Sequence, residues 1–343
     1  MSQLVECVPN FSEGRNVETI DAICEAIKSI PNVSLLDVDM GSDFNRTVIT
    51  FVGLPDDVLQ AAIASTRVAF DLIDMRNHTG EHARMGAVDV VPFIPIRDTT
   101  MDECVELSNK YAEIISNEYQ LPIYLYAHSA RIDERTRLPD IRRGEYEGLE
   151  DKLSNPEWHP DYGNGSFNPV LGATATGGRS ILIAYNVNLD TDDKISANRI
   201  AGKLRTSGVL RKDEHGEKIM GDDGKPERIP GRFQSLQAAG WMYNENIAQI
   251  SMNLLDYSIT GLHTVTEAIH NEAAAMGLKV TAGELVGLVP LNALLDAGSH
   301  YIDVSSVDAR DLVNAAIEGL KLGVLDEFIA DRRVIEWAAE VNE

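Results

Sequence analysis

The chain has 343 residues, 44% of them hydrophobic and 24% charged, and a formal net charge of −24 at pH 7. That balance belongs to a soluble globular protein with apolar material for one large or two ordinary domains, and it excludes a disordered chain. The acidic excess also excludes nonspecific binding to nucleic acid or an anionic membrane surface, but leaves room for an anionic small molecule in a locally basic cleft, because salt screens distant charge over ~8–10 Å.

The first half alternates short strands and amphipathic helices. Residues 4–8 form a brief apolar run closed by Pro9, and a helix follows with Ile20, Ile23, Cys24 and Ile27 on one face. Pro31-Asn32 ends it. Strands are expected at 33–38 and 46–52, separated by a turn-rich 41–45, then a long helix over 56–75. The segment NHTGEHARMG (77–86) leads into a buried-looking strand at 88–94, a helix at 101–118 and a strand at 123–126. The core order is β-α-β-β-α-β.

The second half repeats that order, with a strand at 180–189, a helix at 192–204, strands at 236–242 and 248–256, a helix at 262–276 and a strand at 284–289. A further helix is expected at 291–297. The fold class is therefore α+β, with two ferredoxin-like subdomains whose sheets each keep one face clear of their own helices and face each other across a ligand groove. The expected boundaries are 1–178, 179–300 and a C-terminal helical extension at 301–343. Between the halves, 158–179 is rich in glycine, proline and small polar residues, as suits a linker or a loop that meets a flat polar ligand. Residues 211–232 mix both charges with several glycines and read as an exposed hairpin or flap.

Cys7, Cys24 and Cys104 form no CxxC pair, which fits a reducing compartment. The first residues carry Glu6 and Pro9 inside their apolar stretch, so no signal peptide is read, and no apolar run approaches the ~20 residues that span a bilayer. The expected location is cytoplasmic, without nucleic-acid or membrane partners.

His78, Glu81, His82 and Arg84 crowd into seven residues. Spelled H-x-x-E-H, the segment matches a zinc-peptidase pattern, which would need both histidines on one face of a helix and a third ligand downstream. Gly80 costs a helix interior ~1 kcal/mol relative to alanine, Asn77 and Gly86 favour turns, and no third ligand follows at helical spacing. No metal is expected, although a zinc-dependent hydrolase stays open as an alternative of another class. A polar loop of capping histidines is the plain reading. Against it stands the density of titratable groups at the mouth of a strand, where histidine is suited to moving protons near neutral pH.

Six collinear blocks, LVECVPNFSEGRN (4–16), LLDVD (35–39), NRTVITFVG (45–53), GEHARMGAVDVVPFIP (80–95), GATATG (172–177) and ELVGLVPLNALLDA (284–297), resemble the glutamate formiminotransferase family. The resemblance runs from Gln3 to about Ala297. It implies transfer of the formimino group from N-formimino-L-glutamate to N5 of tetrahydrofolate in histidine breakdown, two ferredoxin-like subdomains and a homodimer. In animal members a cyclodeaminase domain follows on the same chain; here the next step is expected from a separate cyclodeaminase.

By the resemblance, His82 is the general acid/base. Asp39, at the end of an expected strand, is placed to orient or polarise it. Both substrates carry carboxylates, which calls for arginines, and Arg46 and Arg84 are best placed by motif. Asn10 is assigned to polar groups of the formimino donor. Tetrahydrofolate, as co-substrate, is assigned to Gly163, Asn164, Gly165, Ser166, Phe167, Asn168, Pro169, Val170, Leu171 and Gly172. Cys7 suggests a covalent thioimidate, against which its place inside a strand argues for an inert thiol. Formyl transfer between glutamate and 5-formyltetrahydrofolate, and folate binding without turnover, remain as alternative functions.

Overall fold

A computed structural model of the chain describes residues 3–221, 224–303 and 307–341. The chain divides into two compact units, residues 1–180 with 339–343, and residues 181–338.

In the first unit the strands are β1 (Leu4–Cys7), β2 (Asn10–Phe11), β3 (Val33–Gly41), β4 (Arg46–Gly53), β5 (Val88–Arg97), β6 (Ile123–Leu125) and β7 (Thr174–Gly178). The helices are α1 (Val17–Lys28), α2 (Pro55–Leu72), α3 (Met101–Tyr119), α4 (Leu138–Ile141) and α5 (Leu149–Ser154). Both β1 and β2 pair antiparallel with β4 and with β5, so they act as one strand interrupted at Val8-Pro9, where proline offers no N–H to a ladder. The order across the sheet is β3, β4, β1/β2, β5, β7, β6, with only β5–β7 and β7–β6 parallel.

The TATGG stretch, read from sequence as part of a linker, is a buried strand of this sheet. Small side chains are required there, because a Cβ on Gly177 would meet the Tyr126 carbonyl at 2.2 Å. Helix α1 starts where the Asn16 side chain accepts from the Thr19 amide, and α3 where Thr100 and Glu103 close a capping box.

One face of the sheet packs Phe11, Ile49, Phe51, Val91 and Phe93 against α1, α2 and α3 through Ile20, Ile27, Val58, Ile63, Leu107 and Ile115. The other face was expected to be clear of helices. It is covered at one end, where α4 and α5 set Ile141, Leu149 and Leu153 on Val90, Tyr124 and Ala175. Toward β3 the same face stays open. Asp39 stands opposite Val48, Val48 opposite Asn10, and Asn10 opposite Val90, so these four share that face, with Arg46 two residues along from Val48.

The second unit contains β8 (Ile183–Leu189), α6 (Lys194–Leu204), a small exposed hairpin of β9 (Val209–Leu210) and β10 (Arg228–Ile229), then β11 (Leu236–Asn244), β12 (Ile247–Leu254), α7 (Leu262–Ala275) and β13 (Val280–Val286). Four strands lie in the order β11, β12, β8, β13, all antiparallel. Strand β13 begins earlier than the expected 284, because Val280 and Ala282 already pair with β8. Among the described residues, those after 300 do not stand apart as an extension. Helices α8 (Leu291–Tyr301) and α9 (Ala309–Gly319), the short α10 (Ala330–Arg333) and α11 (Ile335–Val341) follow, and Val313, Ala316, Leu320 and Val334 join the core made by Tyr185, Val187, Ile200 and Val265. The sheet face away from that core is polar: Gln249 Nε2 donates to Asn188 and to Glu284, and Asn186 donates to the same Glu284 oxygen, each at 2.9 Å.

Among the described residues, no helix is long and apolar enough to cross a membrane.

Candidate active site

Residues 78–85 run as an irregular loop between the short 3-10 turn Met75–Asn77 and β5. The helix that the zinc pattern requires is not formed. His78 uses both ring nitrogens within the protein: Nε2 lies 2.9 Å from the Asn45 carbonyl, and Nδ1 accepts from Arg84 Nε at 3.2 Å. A carbonyl can only accept, so Nε2 carries the proton and the ring is neutral. Burial, and less so Arg84 beside it, hold the His78 pKa below its usual value.

Asn45, which the sequence reading passed over, holds the loop in place. Its backbone sits at φ 47°, its Oδ1 accepts from the Gly14 amide at 3.0 Å, and its Nδ2 donates to the Thr79 carbonyl at 2.9 Å. Asparagine is among the few residues that tolerate this left-handed turn, and that is the signal the sequence offered.

The lower end of the loop is tied to the expected folate segment. Gly86 bridges Gly172, and the Ala87 amide donates to the Leu171 carbonyl at 2.9 Å. Neither glycine tolerates a side chain. A Cβ on Gly86 would lie 2.4 Å from the Ala173 carbonyl, and one on Gly172, at φ +73°, 2.1 Å from that of Met85.

Arg46 on β4 brings its Nη1 against His82 Nε2 in a short contact. Guanidinium only donates, so Nε2 is the acceptor and the proton of this imidazole sits on Nδ1. Among the described residues that buried Nδ1 has no well-formed hydrogen-bond partner, and the backbone of Ala83 exerts only a weak upward pull on the ring's pKa. Burial first, then Arg46, then Arg142 press the His82 pKa down to about 4, against an upward pull from Asp89. At pH 7 His82 is therefore an uncharged base. Burial and then Arg142 also lower the pKa of Arg46, while Asp39 raises it. Asp39, expected to orient or polarise His82, makes no hydrogen bond to it among the described residues.

Asp89 and Arg142 form the buried support. Asp89 Oδ1 accepts from the Met85 amide at 2.8 Å, and Oδ2 accepts from Arg142 Nε at 2.9 Å and, more closely, from Nη2. Their side chains are 2% and 14% exposed. Ser12, Phe44, Asn45, Arg46, His78, His82, Arg84 and Asp89 enclose a hollow too tight for a water. Beside it, a more open cleft of about 480 Å³ is lined by His78, Thr79, Gly80, Arg84, Gly144, Glu145 and Glu147.

The structure departs from the reading of Arg84 as a carboxylate binder. Its guanidinium already meets Glu147 at 2.6 and 2.8 Å and Glu145 at 3.1 Å, with only 7% of the side chain exposed. It braces His78 and its own loop. Asn10 lies on the Arg46 face and donates locally to the Val8 carbonyl at 3.2 Å.

In the expected folate segment, Gly163, Asn164, Ser166 and Pro169 are exposed, and Gly165, Phe167 and Asn168 half-buried. Phe167 rests on Tyr146, with ring centroids 5.7 Å apart. Val170, Leu171 and Gly172 are committed to structure instead: the Val170 carbonyl takes the Met75 amide at 2.9 Å, and the Gly172 amide goes to the Asn168 carbonyl at 2.7 Å. Cys7 is fully buried, and burial pushes its thiol pKa well up, so the thioimidate route has no available thiolate.

The chain is thus a two-unit α+β protein whose first unit sets a neutral histidine against an arginine. Residues 4–179 match the model of the formiminotransferase domain, N-terminal subdomain, and residues 184–340 match that of the formiminotransferase domain. The chain belongs to the formiminotransferase family. It is 41% identical to a glutamate formimidoyltransferase of Streptococcus pyogenes, covering 90% of this chain and 96% of that one. It is 37% identical to a glutamate formimidoyltransferase of Thermoplasma acidophilum, covering 92% and 97%. With a formimidoyltransferase-cyclodeaminase of Rattus norvegicus it shares 47% identity over 98% of its own length, and it spans 60% of the length of that relative.

Proposed function

We propose that the protein transfers the formimino group of N-formimino-L-glutamate to N5 of tetrahydrofolate, with His82 as general acid and base. What carries this reading is family membership, with a glutamate formimidoyltransferase among the relatives matched over 96% of its length, together with an uncharged imidazole in a tight hollow beside arginine.

N5 attacks the amidine carbon and a C–N bond forms. The N5 proton passes to Nε2 of His82. The same proton is then delivered to the glutamate nitrogen as the original C–N bond breaks. Arg46 holds a carboxylate of the donor, and Asn10 and Asp39 complete the same face of the sheet. Residues 163–169 receive the folate, while 170–172 and Arg84 keep the two loops in register. Asp89 and Arg142 position the histidine loop from beneath. The ferredoxin-like reading of each unit is supported by the β-α-β-β-α-β order and by the shared spatial order of second, third, first and fourth strands. Under the same reading the protein works in the cytoplasm as a homodimer.

The test is turnover. Incubated with N-formimino-L-glutamate and tetrahydrofolate and then acidified, the protein is expected to yield 5,10-methenyltetrahydrofolate, read by its absorbance. Turnover only with L-glutamate and 5-formyltetrahydrofolate as the reacting pair, giving N-formyl-L-glutamate and tetrahydrofolate, would assign formyl transfer instead. Folate binding without turnover of either pair would reduce the protein to a carrier.

A further inference from the structure

The contact that identifies the site also closes it. His82 can accept a proton only through Nε2, and that lone pair is covered by Arg46. The hollow around them has no room for water, so solvent cannot take over the arginine's place. Nδ1 is no substitute, since it already bears the ring proton. A base in this state cannot serve the attacking nitrogen until the guanidinium moves.

We propose that Arg46 is a positioning residue that couples donor binding to base activation: a carboxylate of the glutamyl donor draws its guanidinium off His82 and uncovers Nε2. This deepens the reaction proposed above and rests on it. The exchange is favourable because a guanidinium bonds an anionic carboxylate, in a two-pronged geometry, more strongly than it bonds a neutral ring nitrogen. Arg46 also has somewhere to go. Asp39 lies on the exposed stretch of the same sheet face and already attracts it. Once the cation has moved, His82 loses its nearest positive charge. Arg142 remains, itself neutralised by Asp89, while His78 and Arg84 are engaged with each other and with Glu145 and Glu147. The base strengthens when both the donor and the need for it are present.

The test reads the imidazole directly, by ¹⁵N NMR of the folded protein without turnover. In the free protein, Nδ1 is expected to be the protonated nitrogen, and the ring to stay neutral down to about pH 4. In Arg46→Met the titration of His82 should move up from about 4, with burial still holding it below the ordinary ~6.5, and saturating L-glutamate should move the unmodified protein the same way. Arg46→Lys, which keeps charge without the planar fork, should hold the titration low but fail to grip the donor. Both variants should raise the KM for donor about 10–100-fold, the worth of one charge-assisted bond, with the KM for tetrahydrofolate unchanged. If Arg46→Met leaves the His82 titration where it was, or glutamate binds without disturbing the Arg46–His82 bond, the proposal is overturned. Because the titration needs no turnover, a failed transfer assay with a positive titration would count against the assigned reaction alone.

Discussion

Replacing His82 with alanine is expected to lower kcat by about 10²–10⁴-fold, the usual worth of a positioned proton carrier. The KM for tetrahydrofolate should stay within about twofold, since nothing links the imidazole to uniform binding of the folate. The change should be well tolerated by the fold. The ring is half-buried, its Nδ1 has no well-formed hydrogen-bond partner among the described residues, and its Nε2 meets only Arg46. Circular dichroism and folate binding should therefore match the unmodified protein while single-turnover formation of the methenyl product collapses. Residual turnover would report the alignment of the two substrates, which on its own supplies a large share of the acceleration in such reactions. Near-full activity in His82→Ala would remove the imidazole from the mechanism while leaving the family assignment intact.

The second large effect is on stability. Asp89→Ala is expected to destabilise the protein by about 3–5 kcal/mol, the cost of leaving one partner of a buried ion pair uncompensated. Three bonds end on that carboxylate, from the Met85 amide and from two nitrogens of Arg142. Without it, Arg142 faces Arg46 and His82 as an unopposed cation, and the loop from 78 to 85 loses the anchor at its lower end. Equilibrium denaturation with urea should show the midpoint falling with little change in slope. A loss below about 1 kcal/mol would place Asp89 among exposed, screened pairs instead, whose worth is that small.

These two effects mark where the sequence was readable. Local periodicity was legible: the spacing of Ile20, Ile23, Cys24 and Ile27 gives the buried stripe of α1. The order of strands and helices followed, because each element announces itself within a dozen residues. The histidine loop announced itself as well, since Gly80, Asn77 and Gly86 argue against a helix. What stayed hidden depends on residues far apart in the chain. Arg142 lies 53 residues from Asp89, and Arg46 lies 36 from His82. Arg84 looked available until Glu145 and Glu147 were seen to hold it, 61 and 63 residues on. Thr174–Gly178 was missed for a different reason. Its small residues resemble a loop, but they are small because neighbouring backbone passes within van der Waals distance. The register that puts Asn10, Asp39 and Arg46 on one sheet face was likewise invisible before the pairings were known.

The most direct measurement is a crystal structure with tetrahydrofolate and a non-reacting formiminoglutamate analogue both bound. His82 Nε2 is expected at about 2.6–3.2 Å from N5 of the folate, the reach of a working base, with Arg46 turned onto a carboxylate of the analogue. An N5 placed away from His82, or an imidazole still capped by Arg46 with both ligands seated, would contradict the proposed mechanism.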